Sequence, residues 1–397
     1  MKLAEQHIIG RKDSRFGIID EACFKSKNLY NSVNYIIRQA FFGDCGIPGW
    51  GEIHRELKNH EVYKALPAKV SNMTIIQVSR EWKSYFAALK EWKNRPESFN
   101  GKPRFPGYKD REKGRNILYY DIQAISRKYL RQGIIKPSKL DIEIPVKHEA
   151  VRQLQIVPRR THYAVFAVYE KKPVRADLNY DLYAGADTGL NNLATVVSNK
   201  RDFVPLIFNG RHIKSINQFY NKERARLAGE LEKGSKTSER IERLADKRNR
   251  KIRHELHNIS RQLTDILVRE KIGNLIIGRN KGWKQEINLG KRNNQNFVSV
   301  PHAEFADQLV YKGALVGINV VLHEESYTSK CSFLDQEPVK KHEKYAGSRI
   351  KRGLFRAGGG TLVNADVNGA YNIIIKAVPE AFADGIEGVA VHPVRVS

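Results

Sequence analysis

The stretch YAGADTGLNNLATVVS, Tyr183 to Ser198, holds two short apolar runs on either side of a tight turn at Gly189. Small and β-branched residues bounded by turn chemistry predict two strands, and FVPLIFN at 203–209 supplies a third in the same meander. From about Ile213 to Lys271 the sequence predicts a long helical stretch. Within it Ile252, Leu256, Ile259, Leu263 and Ile266 step by four, three, four and three and form one buried stripe. Gly273-Asn274 stops it. LIIG at 275–278 is then a fourth strand, HAEFADQLVYKGALVG at 302–317 a helix, INVVLHEES at 318–326 a fifth strand, and ADVNGAYNIIIKA at 365–377 a closing helix.

Three strands in a meander, then helix, strand, helix, strand, helix, is the order of the ribonuclease H-like fold, in which the fourth strand pairs beside the first. Two other textures precede it. Phe16 to Trp92 reads as helical, since Leu29, Val33, Ile36 and Ile37, and later Trp82, Tyr85, Phe86, Leu89 and Trp92, recur at three- and four-residue spacing. Those aromatics read as a helical core rather than as platforms for stacked bases. Beyond the irregular connector NGKPRFPGYKDREKGRN at 100–116 come the β-like runs GIIKPS, DIEIPVK, QLQIVP and YAVFAVYEKK, the last two forming a hairpin across RRTH. KLAEQHII opens the chain as one more strand. The expected class is therefore a multidomain α+β and α/β chain: a β-rich, barrel-like domain with a helical insertion, followed by a ribonuclease H-like domain.

The chain carries a formal net charge of +26, a surplus that repels itself in a compact protein unless a polyanion neutralises it. Nucleic acid is the expected partner. A membrane surface is the competing polyanion, but no run approaches the ~20 apolar residues of a spanning helix, and the opening MKLAE starts no signal peptide. A cytoplasmic, nucleoid-associated protein of a prokaryotic cell is expected. Hydrophobic residues make up 41% of the chain, enough to build real cores. Cys23, Cys45 and Cys331 are too few and too scattered for a disulfide framework or a four-Cys zinc site.

Two aspartates carry the chemistry. Asp187 follows small residues at the end of a strand that should lie centrally, where a carboxylate is costly to bury without a cation or a polar partner. Its bland alternative is a turn aspartate capping the next strand. Asp366, in VNADVNGAYNI, opens an apolar helix, and taken alone is most simply a helix cap. Their order, first strand and last helix with a third acid expected between them, is that of a divalent-metal nest. Two Mg²⁺ ions ~3.5–4 Å apart in such a nest activate a water and stabilise the leaving oxygen of a phosphodiester.

The segments GADTGLNNLAT, SYTSKCSFLD, RIKRGLFR and NADVNGAYNI, in that order across about residues 183–376, resemble the TnpB family, compact insertion-sequence proteins related to type V CRISPR effectors. The amino-terminal half agrees more loosely, through the helical insertion, KPRFPGYKD and the β hairpin. The resemblance implies an RNA-guided, Mg²⁺-dependent DNA endonuclease with a RuvC-type site. Its partners would be a guide RNA derived from the transposon end and a double-stranded DNA target bearing a short adjacent motif. Asp187 and Asp366 fall on the family's first and third catalytic positions. The implied organisation is a wedge domain at 1–15 and 96–180, a helical recognition insertion at 16–95, a RuvC-like nuclease domain at 181–328 and 361–397, and a basic target-binding insertion at 329–360.

Two departures from the family pattern matter. The fourth-strand motif usually ends in Glu, and here that position is Gly278. The usual four-Cys zinc ribbon is reduced to Cys331, so no zinc is expected, and the loop from Thr328 to Gly360 must hold its shape without it. That loop sets eight Lys/Arg against three acids, which leaves a nucleic-acid-contacting surface or, more plainly, a solvated basic loop. The missing acid is expected on the next strand, only ~4.8 Å further from Asp187. Side chains alternate across a strand, so only one of Glu324 and Glu325 can reach the metals, and Glu325 at the SYTS turn is favoured. Arg211 to Arg261 carries fifteen Lys/Arg against seven Asp/Glu; part of that charge forms i,i+4 pairs, and the excess suits the backbone of an RNA–DNA heteroduplex. His254 and His257 read as surface or packing residues. The rival functions are a nuclease-inactive RNA-guided DNA-binding protein or repressor, a CRISPR-associated effector derived from TnpB, and a transposase acting directly on DNA ends.

Overall fold

The computed structural model describes residues 1–397 apart from 45, 233, 280–299, 384, 387 and 397. Of the stretch NLIIGRNKGWKQ at 274–285, which contains LIIG, the part from residue 280 onward thus lies outside the described residues. The chain divides into two compact units, Met1–Lys171 and Lys172–Ser397. No described helix is long and apolar enough to cross a membrane.

In the first unit, strands β1 (Lys2–Gly10), β2 (Leu118–Asp121), β5 (Val151–Pro158) and β6 (His162–Glu170) form an antiparallel sheet in the order β1-β6-β5-β2, while β3 (Ile134–Ile135) and β4 (Ile144–Pro145) pair separately. The sequence predicts a barrel-like domain here; the described strands make an open sheet. Helices α1 (Phe16–Phe42) and α4 (Ala68–Asn94) are the long members of the helical region, with α2 (Trp50–Leu57) and α3 (Glu61–Lys64) between them and α5 (Arg127–Leu130) following β2. Leu29, Val33 and Ile37 of α1 and Ile75, Val78 and Trp82 of α4 share one core with Leu118, Leu154, Ile156 and Val165 of the sheet. Trp82 is buried there, its indole N–H donating to Asn34 Oδ1 at 2.8 Å, so this ring packs as a core residue and offers no face to a base.

The second unit is built on a six-stranded sheet. Its strands are β7 (Asn179–Thr188), β8 (Asn192–Ser198), β9 (Leu206–Asn209), β10 (Ile272–Gly278), β11 (Asn319–His323) and β15 (Val394–Val396), in the order β11-β10-β7-β8-β9-β15. The first three form the expected antiparallel meander, and β10 runs parallel to β7, pairing Ile277 with Ala186. Strand β15, parallel to β9, extends the far edge and was not foreseen from its sequence.

Both faces of this sheet are covered, which is why LIIG reads as a continuous apolar run rather than an alternating one. Leu275 and Ile277 join Ala184 and Ala186 in a core shared with α7 (Glu239–Arg269) and α8 (His302–Val316). Ile276 turns to the opposite face, where it packs with Val367, Ala370, Ile373 and Ile374 of α9 (Ala365–Ala377). The period-two pleat therefore sends Asp187 and the position of Gly278 toward α9.

One expectation fails in this unit. The helical stretch from Ile213 to Lys271 is two helices, α6 (Arg211–Gly229) and α7, not one. Gly234 adopts a left-handed φ of +96°, and Ser238 caps the second helix by accepting from Ile241 N–H, so the chain stops and restarts where the sequence reads EKGSKTS.

Candidate active site

Asp187, Glu325 and Asp366 line one cavity of about 660 Å³. Each arrives by a different route. Asp187 is the next-to-last residue of β7, and Asp366 lies in the first turn of α9. The helix comes close because residue 369, one turn beyond Asp366, is glycine: a Cβ there would stand 3.0 Å from Asp187 Oδ2.

Asp366 does not cap its helix. That work falls to Asn364, whose side chain accepts from the backbone N–H groups of Asp366 and Val367 at 2.9 and 3.2 Å. The Asp366 carboxylate is left for the cavity, where Asn192 Nδ2 donates to it at 2.7 Å and an Arg349 guanidinium nitrogen lies 3.7 Å away. Its place near the helix amino terminus also favours its negative charge.

The space beside Gly278 is filled by Glu325. Gly278 pairs with His323 at the end of β11, and the chain then turns through Glu325–Thr328, where Thr328 N–H donates to Glu325 O. An ideal Cβ on Gly278 would overlap Glu325 Oε2 and stand 2.6 Å from Ile373 Cδ1. Glutamate at 325 therefore occupies the room that a side chain at 278 would take. Glu324 goes elsewhere. It pairs with Lys376 and accepts from Ser326 N–H and Oγ at 2.6 and 2.9 Å, and it is not among the residues lining the cavity.

The turn that carries Glu325 is tied to α9 by two buried asparagines. Asn368 Nδ2 donates to Cys331 O at 2.8 Å, and its Oδ1 accepts from Phe333 N at 2.9 Å. Asn372 Nδ2 donates to Thr328 O at 2.8 Å and Cys331 O at 2.7 Å. Thr328 Oγ1 in turn donates to Glu325 O at 2.8 Å. At the apex Tyr327 holds φ at +68°, an uncommon conformation for an aromatic residue, and it too lines the cavity.

Electrostatics set Asp187 and Glu325 apart from Glu324. Burial, then the charges of Asp366 and Glu325, push Asp187 up to about 8, with Arg349 opposing. Burial and the neighbouring Glu324 also raise Glu325 above the usual carboxylate range. Glu324 is held down to about 2 by its hydrogen bond to Lys376. Among the described residues, no three of His, Cys, Asp and Glu stand close enough to hold one ion as arranged. The donor chemistry nevertheless fits a hard divalent cation, because all three groups offer carboxylate oxygen and burial holds Asp187 and Glu325 above the usual carboxylate range. Exposed Arg211, Arg349, Arg352 and Arg395 rim the same cavity.

Sequence reasoning gave no role to Asn192, Arg349 or Tyr327. They lie within GLNN, RIKRG and SYTS, but nothing local marks the first two, whose shared partner Asp366 reaches them only through the fold. Asn192 and Asp366 are 174 residues apart.

The loop that follows Glu325 is organised around a carboxylate. Glu337, buried, accepts from Ser332 N at 2.8 Å and Ala346 N at 3.0 Å, and the Cys331 thiol donates to the carbonyls of Pro338 and Lys340. Asp335 accepts from Gly358 N at 2.6 Å. A small antiparallel sheet in the order β12-β13-β14 completes it, from β12 (Ser348–Lys351), β13 (Leu354–Arg356) and β14 (Leu362–Asn364).

Residues 166–284 match the family model OrfB_IS605, described as a probable transposase, and residues 302–373 match the Cas12f1-like TNB domain. A TnpB-like protein, ORF457 of Acidianus two-tailed virus, is 24% identical over 399 residues, covering 89% of this chain and 82% of the relative. The cryo-EM structure of a Cas12f1–sgRNA–target DNA complex aligns with a TM-score of 0.55 at 14% identity, over 90% of this chain and 82% of that one. The chain is thus similar to TnpB-type proteins in sequence and shares a mixed α/β, multidomain fold with Cas12f1.

Proposed function

We propose that this TnpB-like chain is an RNA-guided, Mg²⁺-dependent DNA endonuclease that cuts guide-matched DNA beside a short adjacent motif. The observation that carries the reading is the Glu325 carboxylate standing in the space beside Gly278, which supplies a third acid to Asp187 and Asp366. Asp187, Glu325 and Asp366 would hold the metal. When bound, Mg²⁺ lowers the pKa of a water and neutralises charge on the leaving oxygen of a phosphodiester.

The remaining work belongs to the protein's own groups. Arg211, Arg349, Arg352 and Arg395 at the rim attract and orient the phosphate backbone, and Arg349 also offsets the negative charge of Asp366. Asn192 fixes the Asp366 carboxylate in one rotamer. The asparagine clamp of α9 holds the turn that presents Glu325, so that the acid is positioned before substrate arrives.

In this reading the guide RNA comes from the transposon end, as the TnpB resemblance implies. The division is a wedge domain at 1–15 and 96–180, a helical recognition insertion at 16–95, a RuvC-like domain at 181–328 and 361–397, and a basic target-binding insertion at 329–360. A second reading, an RNA-guided DNA-binding protein that no longer cuts, draws on Gly278, which stands where the family pattern has Glu. The test is purification with bound RNA, sequencing of that RNA, and cleavage of a matched plasmid with and without Mg²⁺. Cutting that requires both RNA and Mg²⁺ supports the endonuclease; RNA-dependent binding without cutting supports the second reading; absence of bound RNA defeats both.

A further inference from the structure

The hairpin of α6 and α7 carries a trough that the catalytic reading leaves unused. Its floor is apolar, made by Ile216, Phe219 and Leu244, and its wall is basic. Lys247, Arg250, Lys251 and His254 follow one another at helical spacing along the exposed face of α7 and line two clefts that share His212, Lys247 and Lys251. Lys247 and Lys251 are therefore about 6 Å apart along the helix axis. Glu255 is the one acid lining either cleft, and it is engaged by His212 at 3.2 Å. Among the described residues no ion pair neutralises Lys247, Arg250 or Lys251, so the trough keeps its positive charge.

Two aromatic residues meet in this trough with opposite fates. Tyr220 is covered by the Arg248 guanidinium, 5.3 Å from the ring centroid, and Arg248 is itself anchored by a 2.7 Å bond to the buried Asn217. Phe219 next to it is 60% exposed, whereas Ile213 and Leu227 of the same helix are buried.

We propose that this trough binds a single-stranded stretch of nucleic acid, with the phosphates along Lys247, Arg250 and Lys251 and one unpaired base stacked on Phe219. Charge complementarity selects a polyanion, and the exposed ring selects one with a free base face. A duplex keeps its bases stacked inside and offers Phe219 none. The same ring is sequence-tolerant, because every base has a π-face. The site stands apart from the metal chemistry and needs no cleavage to be tested.

The experiment uses the full chain in metal-free buffer, stripped of bound nucleic acid at high salt, with an oligonucleotide carrying 5-iodouracil as photo-crosslinker. The single strand is expected to crosslink at Phe219, and the same strand annealed to its complement is not. Phe219→Ala, which removes no core contact, should weaken single-strand binding by about 5-fold or more, following ~1–3 kcal/mol per stacked base, while leaving duplex binding nearly unchanged. Phe219→Trp should retain the single-strand preference. Crosslinks found only at other residues, or equal losses for single strand and duplex, would overturn the proposal. So would a salt-insensitive dimer in sedimentation that Phe219→Ala dissociates, since the occupant would then be a second copy of this chain.

Discussion

The carboxyl ends of β10 and β11 are neighbours in one sheet, paired at Gly278 and His323, and they meet the same cavity with opposite means. Strand β10 ends on a residue without a side chain. Strand β11 is followed by two glutamates, of which Glu325 enters the space over Gly278 while Glu324 turns to Lys376. The difference teaches that a site is defined by the volume a group reaches, not by the strand that carries it. The glycine beside this cavity is also not an empty position, since it receives its neighbour's carboxylate.

The comparison breaks most severely if the acids flanking this pair are removed. Asp187→Ala and Asp366→Ala should each lower cleavage by about three powers of ten or more, the equivalent of several kcal/mol of transition-state stabilisation, with guide RNA and target binding retained. For Asp366→Ala, thermal unfolding should hardly change, because Asn364 caps the helix. A loss of stability in place of activity would return Asp366 to a structural role.

Gly278→Ala probes the shared space itself. Its Cβ displaces the Glu325 carboxylate, and cleavage should fall by about 10- to 100-fold, as expected when a metal ligand is misoriented. Truncating Glu325 clears that space, so Gly278→Glu in a Glu325→Ala background should recover part of the lost rate once Ile373 rotates aside. No change on Gly278→Ala would mean that Glu325 is not used where it stands. An inactive natural sequence that gains cutting from Gly278→Glu alone would establish the decayed nuclease.

Further from the chemistry, Glu337→Ala removes the acceptor of two backbone N–H groups. It should cost ~1–3 kcal/mol for each group left unpaired, read as faster hydrogen exchange across residues 328–360. Elemental analysis of the natural protein should find no zinc; stoichiometric zinc would mean that histidines such as His323 and His342 have been recruited.

The smallest effect belongs to Glu324. Its pKa is depressed in the folded state, so the pair with Lys376 contributes above the ordinary glutamate range and is lost as pH falls toward about 2. Glu324 is largely exposed, and Glu324→Gln should cost at most about 1 kcal/mol at neutral pH, measured by denaturant unfolding.

How much of this was legible follows from the range of the interactions involved. The order β7 to β11 and the helices α8 and α9 could be read because each is a periodic or continuous apolar run with its own stop signals. Asp187, Asp366 and the pair Glu324–Glu325 could be singled out because local sequence puts them at strand and helix ends. Strands β12, β13 and β14 pair with their sequence neighbours but at three or four residues are too short to show a period, and β15 forms only through β9, far away in sequence. The break between α6 and α7 was visible in Gly234 and Ser238, but the hydrophobic stripe of α7 masked it. Asn192 and Arg349 had no local signature, because their contacts to Asp366 exist only once the sheet, the loop and the last helix have assembled.

The most direct test is the rate at which the purified, RNA-bound protein linearises a guide-matched plasmid in Mg²⁺, compared among the natural sequence, Glu325→Gln and Glu324→Gln, with target binding measured alongside. Glu325→Gln should lose about three powers of ten or more while binding is unchanged, and Glu324→Gln should stay within about threefold. Cleavage by Glu325→Gln at the natural rate would contradict the assignment of the missing acid to the turn after β11.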